Sequence, residues 1–244
     1  MFARSCDRAA SLRGGGGRGR STRYCVARSD VEGISAVVHL AAVFCTADKD
    51  LIWRSNVEGT RNLIAAVKAH GQGARFIMAS TGLIYDTDTP RPGREDDACT
   101  PTLDYPASKL VAENQLRNSG LNWSIQRFGF VYGDRDGHIE SLPPLMARAK
   151  LHPAQRMSMV HHHDIATAMN LALTGAMDGR IVNIADEAPT SIYELVELVG
   201  GSIEPSGEPL VNPWHIHMDG ALARRLGFQP TVRTVYQSAQ EDLL

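Results

Sequence analysis

The chain has 244 residues, 43% of them hydrophobic, and a formal net charge of -2, enough for one large globular domain with or without a small appendage. The near-neutral balance, with no sustained basic stripe outside the N-terminus, excludes nucleic acid as the main partner, and no run approaches the ~18 apolar residues that a membrane span needs. Cys6, Cys25, Cys45 and Cys99 are scattered without a CxxC pair, which argues for a reducing, cytoplasmic setting and against structural zinc.

Residues 1–30 differ in kind. The first 28 carry seven arginines, no lysine and one acidic residue, with the run Gly14-Gly15-Gly16-Gly17-Arg18-Gly19-Arg20. Arginine excess and few acids are shared with transit peptides, but the glycines spoil an amphipathic helix, so an irregular tail is expected.

From Ser35 onward the pattern is regular. Ala36-Val37-Val38-His39-Leu40-Ala41-Ala42 is a short apolar run of the kind that forms a strand buried on both faces. Asn56 to His70 sets Val57, Leu63, Ile64 and Val67 on one helical stripe and stops at Gly71. A second strand is predicted over Arg75 to Thr81, a helix over Asp104 to Asn118, and a third strand over Asn122 to Phe128. Beyond them the spacing predicts a helix over His162 to Leu173, a strand over Arg180 to Ile184 and a helix over Ser191 to Val199. A Gly/Pro/Ser-rich loop over 200–213 and two short helices, around 219–226 and 232–243, complete the chain. Alternating strands and helices specify a parallel sheet covered by helices on both faces.

In such a sheet ligands bind at the carboxyl ends of the strands. Those ends are Ala41-Ala42, Ser80-Thr81 and Arg127-Phe128-Gly129, with Tyr105 and Lys109 entering the next helix four residues apart. Positions i and i+4 share a helix face. A free phenol, with a pKa near ~10, is a poor base at neutral pH, and a nearby cation favours its ionised form. A tyrosine so placed exchanges protons with a hydroxyl or an alkoxide.

Six ordered segments resemble the extended short-chain dehydrogenase/reductase superfamily, in its NAD-dependent epimerase/dehydratase branch. They are Val38-His39-Leu40-Ala41-Ala42, Asn56-Val57-Glu58-Gly59-Thr60, Ala79-Ser80-Thr81-Gly82-Leu83-Ile84-Tyr85, Tyr105-x-x-x-Lys109, Arg127-Phe128-Gly129-Phe130-Val131-Tyr132-Gly133 and Val160-His161-His162-His163-Asp164-Ile165. Phe128 replaces the usual proline of the fifth segment.

The resemblance implies a Rossmann-like, doubly wound α/β sheet, N-terminally incomplete, with a small C-terminal α+β substrate portion. The core would take residues 31–135 and 157–185, and the substrate portion 136–156 and 186–244. It implies Tyr105, Lys109 and Thr81 as catalytic residues, Lys109 lowering the phenol's pKa and Thr81 preferred to Ser80 by its register before Ile84-Tyr85. Leu40, Ala41, Ala42, Asn56, Tyr105, Lys109 and Gly129 would line a site for NAD or NADP. The implied activity is that of an epimerase or dehydratase on a sugar-nucleotide-like small molecule, with no metal, no nucleic acid, no membrane, and a homodimer as the expected assembly.

A carbonyl reductase or hydroxysteroid-type dehydrogenase of the same superfamily, and an inactive remnant, are the competing readings. For Asn56 the competing role is helix capping. The Gly-rich turn that receives a cofactor pyrophosphate has no good match: Gly14 to Gly19 have no apolar strand before them and no amphipathic helix after them. The arginine and glycine bias there resembles out-of-frame translation of a GC-rich region, so a missing N-terminal unit is expected. Arg156 stands one residue out of register for a phosphate-gripping arginine.

Overall fold

The computed structural model describes residues 30–149 and 151–244, leaving aside the side chains of 146–148; the arginine- and glycine-rich tail, with Cys6 and Cys25, lies outside them. In chain order the elements are β1 (Ala36–His39), α1 (Lys49–Trp53), a π turn (Arg54–Glu58), α2 (Gly59–His70), β2 (Arg75–Thr81), a 3₁₀ turn (Gly82–Ile84), α3 (Asp104–Arg117), β3 (Asn122–Phe128) and β4 (Phe130–Tyr132). Then come α4 (Leu142–Ala149), β5 (Arg156–Met157), β6 (Met159–His161), α5 (His162–Leu173), β7 (Arg180–Ile184), β8 (Thr190–Ser191), α6 (Ile192–Leu198), α7 (Ala221–Arg225) and α8 (Val235–Gln240).

The main sheet has the order β1-β2-β3-β7 and is parallel throughout, with Val38 beside Ile77, Thr81 beside Phe128, and Phe128 beside Ile184. Alternation along the strands divides its apolar side chains between two faces. Phe76, Met78 and Ile125 pack with Ile64 and Val67 of α2 and Ala112 and Leu116 of α3. Ile77, Val182 and Ile184 pack with Ala168, Met169 and Ala172 of α5. Helices cover both faces, as an all-parallel sheet requires. Among the described residues β1 is an edge strand, and its Val38 is 41% exposed.

Away from the main sheet a second core region joins Tyr132, Leu142, Met157, Met159, Ile192, Leu195 and Val235, beside two small sheets, β4-β6 and β5-β8. The division into core and substrate portions drawn from the sequence is crossed in both directions. Tyr132, Met157 and Met159 belong to this second cluster, while Ala223 and Phe228 pack into the α5 face of the main sheet.

One helix starts earlier than expected. Asp48 caps α1 by accepting from Leu51 N, and the helix runs on through the π turn into α2. Asn56 therefore lies inside a continuous helical run, and the capping role belongs to Asp48. The π turn adds a residue to one turn of the run, the kind of insertion often found at functional sites.

Candidate active site

Tyr105 and Lys109 stand one turn apart in the first half of α3, beyond the carboxyl end of β2. Pro106 is tolerated in that first turn because the amide it lacks would have had no helical acceptor. Asp104, at the head of the helix, accepts from the indole of Trp53 at 3.0 Å and pairs with Lys49 at 3.1 Å, which anchors α3 to α1. Tyr105 is half-buried, with the Phe44 ring 5.6 Å from its own. Lys109 is 2% exposed and makes no hydrogen bond or ion pair among the described residues.

The expected electrostatic coupling of this pair is not found. Burial, with the Cys45 sulfur adding to it, pushes the Tyr105 phenol up to about 12. Burial also pulls Lys109 down to about 8, against the opposing pull of Glu113. Desolvation disfavours the charged form of each group, and it outweighs the help a cation one turn away was expected to give the phenolate.

Thr81 ends β2 and is 8% exposed; its Oγ1 accepts from Leu83 N at 3.2 Å and keeps its own proton to donate. The adjacent Ser80 hydroxyl is committed elsewhere, donating to Glu113. Glu113 continues the Tyr105-Lys109 stripe by one more turn. Its carboxylate accepts from Arg127 Nε at 3.1 Å and Nη2 at 2.7 Å. Arg127 Nη1 donates to Tyr85 OH at 3.0 Å, and that hydroxyl donates to Asn183 at 2.7 Å. Arg127, a strand-end residue in the sequence, is thus 2% exposed and turned into the interior. Its network with Ser80, Glu113, Tyr85 and Asn183 ties β2, α3, β3 and β7 together beneath the candidate site. Nothing in the sequence marked Glu113 beyond its i+4 spacing from Lys109, and nothing marked Tyr85 or Asn183 as its partners.

A family model described as NAD dependent epimerase/dehydratase family matches residues 25–185. The chain belongs to the NAD dependent epimerase/dehydratase family. It is 27% identical over 266 residues to a dTDP-glucose 4,6-dehydratase of Streptomyces griseus, covering 95% of this chain and 78% of that protein. It is also 27% identical over 216 residues to a D-erythronate dehydrogenase of Cupriavidus necator, covering 85% of this chain and 60% of that protein. Among solved structures, the dTDP-glucose 4,6-dehydratase DesIV of Streptomyces venezuelae, with NAD and TYD bound, superposes with a TM-score of 0.71 at 24% identity, over 87% of this chain and 73% of that one. RMD of Pseudomonas aeruginosa, complexed with NADPH, gives a TM-score of 0.70 at 22% identity, over 88% and 83%. These structures share the fold.

The family's cofactor can be tested against the residues present. A buried ammonium with no hydrogen bond or ion pair among the described residues, beside a half-buried phenol at a sheet's carboxyl edge, fits the nicotinamide-ribose end of such a molecule. Leu40, Ala41 and Ala42 follow β1 at the same edge; Leu40 packs on the α5-side core, and Ala41 is exposed. Gly14 to Gly19 lie outside the described residues, and a Gly-rich turn leading into a helix is not found among those described.

Two expected cofactor residues are otherwise engaged. Asn56 is 1% exposed, and both hydrogens of its amide donate within the chain, to Val43 O at 2.9 Å and Ser108 Oγ at 3.0 Å, while its Oδ1 accepts from Val43 N at 2.8 Å. Gly129 has a packing reason to be glycine, since a Cβ there would stand 2.4 Å from the Ser158 carbonyl oxygen.

No group of three or more His, Cys, Asp or Glu able to hold a metal ion occurs among the described residues. His161 caps α5 and meets Leu243 O at 3.0 Å. Asp164 accepts from Thr231 N, Thr231 Oγ1 and Val232 N. Arg156 lines a separate cavity of about 490 Å³ with His152, Tyr193 and Glu194. No helix is long and apolar enough to cross a membrane among the described residues.

Proposed function

We propose that Tyr105, Lys109 and Thr81 form the acid/base centre of an NAD(P)-dependent epimerase or dehydratase acting on the hydroxyl or carbonyl carbon of a nucleotide-sugar-like substrate. The observation that carries this reading is Lys109, buried and with no hydrogen bond or ion pair among the described residues, one turn from Tyr105 in a chain of this family. Thr81 would hydrogen-bond the substrate oxygen, having a proton to give and its acceptor lone pair already oriented by Leu83 N. Tyr105, protonated at neutral pH, is set to donate to an oxygen gaining negative charge and to recover that proton in the reverse direction. Lys109 and the Leu40–Ala42 stretch would hold the cofactor, whose nicotinamide supplies hydride acceptance and return. The dTDP-glucose 4,6-dehydratase relative supports the substrate class. The four scattered cysteines, with no CxxC pair, are in keeping with a reducing, cytoplasmic setting.

A carbonyl reductase or dehydrogenase that does not regenerate its cofactor, run here in the oxidising direction, is the second reading. Phe44 beside Tyr105 and Leu83 beside Thr81 are each 49% exposed, which gives the site an apolar rim, and one relative is a dehydrogenase. The purified chain should melt higher in NAD or NADP; at a hundredfold excess over Kd the gain is about 2.7 kcal/mol. With dTDP-glucose and NAD as the probe, turnover without net NADH supports the first reading, and net NADH the second. No shift with either dinucleotide would leave only an inactive binding protein.

A further inference from the structure

We propose that Asn56 and Ser108 are positioning residues that tie the loop after β1 to the helix bearing Tyr105 and Lys109, and so set both the cover over the phenol and the wall offered to the cofactor. The proposal rests on the acid/base reading only for its consequence in turnover.

The tie is a run of hydrogen bonds through five parts of the fold: β1, α2, the π turn, the loop after β1 and α3. His39, at the end of β1, meets Thr60 Oγ1 through Nε2 at 2.9 Å, and the Thr60 hydroxyl donates to Asn56 O at 2.7 Å. Thr60 thus spends its only hydroxyl proton on Asn56, so His39 Nε2 must be the donor of its bond. Burial, helped by the Lys109 charge, holds His39 well below its usual range, at about 4, and keeps this arrangement neutral. From the π turn the Asn56 amide grips Val43 by both its N–H and its C=O, and its second N–H reaches Ser108 Oγ. Ser108, fully buried, donates in turn to the backbone oxygen of Tyr105 at 2.7 Å.

A two-point grip on one peptide residue fixes the direction of the chain as well as its position. The residue that follows is Phe44, whose ring lies on Tyr105, and then Cys45, exposed and held at φ 55°, whose sulfur acts on the phenol. On the other side are Leu40, Ala41 and Ala42. Ser108 thus has a task although it sits off the Tyr105-Lys109 face, because it carries the loop's register into the helix. Losing the Asn56 grip would strand buried polar groups on Val43 and let the loop move.

The experiment uses Asn56→Ala and Ser108→Ala in the full chain, each first checked for unaltered circular dichroism. Amide exchange at Val43 should accelerate about tenfold in Asn56→Ala and less in Ser108→Ala, and the rate of iodoacetamide labelling of the exposed Cys45, read by peptide mapping, should change with it. Cys99 labelling should be unchanged, since general loosening would accelerate both thiols. NADH affinity, read by fluorescence, should weaken in both variants and less in Ser108→Ala; a loss confined to Asn56→Ala would make Asn56 a direct ligand and overturn the proposal. Unchanged Cys45 labelling and Val43 exchange would also overturn it, and Ser108→Ala decides alone if Asn56→Ala does not fold. If neither variant nor the parent binds NADH, the cofactor reading fails, and the labelling and exchange results still decide this proposal.

Discussion

At Tyr105 the phenol is desolvated before anything binds, so its protonated form dominates over the ordinary working range. Replacing it with phenylalanine removes the hydroxyl and leaves the ring that meets Phe44. Tyr105→Phe should lower kcat by about 10²-fold or more while NADH affinity changes little; equal loss of both, in stopped-flow and fluorescence measurements, would contradict the assigned role.

Asp186 makes a second prediction at this scale. Its carboxyl is 7% exposed, one of its oxygens lacks a partner, and burial raises it to about 8. In the unfolded chain it titrates near ~3.9. Between those values the folded state holds the extra proton, so this group's contribution to stability is fullest below ~4 and is lost as pH rises toward 8. Asp186→Asn should therefore melt higher than the parent by a margin that grows between pH 5 and pH 8. Parallel melting curves across that range would show that the carboxyl is not buried as described.

At the scale of elements, α3 carries a stripe of Tyr105, Lys109 and Glu113, in which the first two face the site and the third is locked to Arg127. A buried charge pair is costly to break from one side, because the survivor stays desolvated. Glu113→Gln should destabilise the chain by about 3–5 kcal/mol in urea titration, and a loss under ~1 kcal/mol would mean that Arg127 finds water instead. The stripe was partly legible in the sequence, since i and i+4 neighbours follow from helix geometry alone. The ion pair was not, because Arg127 and Glu113 meet only when β3 lies behind α3.

Strand bounds show the same contrast. β2, β3 and β7 run over the residues predicted for them because each has five to seven residues, long enough for a strand pattern to register. The strands β4, β5, β6 and β8 have two or three residues each, too few for any periodicity to register. The early start of α1 was missed because its only mark is Asp48, one capping residue ahead of five helical ones.

Across the whole molecule, the C-terminal segment is bound back to the core by Asp164, which takes three hydrogen bonds from Thr231 and Val232. In the sequence this aspartate is marked only as part of the sixth family-like segment, Val160 to Ile165. Asp164→Ala should leave those amides unpaired, costing about 1–3 kcal/mol, and should raise amide exchange in α8 ahead of β2. Uniform exchange across both elements would show a global loss instead.

The sequence by itself determined the alternation of strands and helices, the parallel sheet, and the order of the family's segments, because those rest on local periodicity and on residue types at short spacing. Only the tertiary structure decided which of those residues remain free for chemistry. Asn56, Ser80 and Arg127 are committed to other parts of the chain, while Lys109 is buried with no hydrogen bond or ion pair among the described residues, since hydrogen bonds between distant segments exist only once the strands have set the helices side by side.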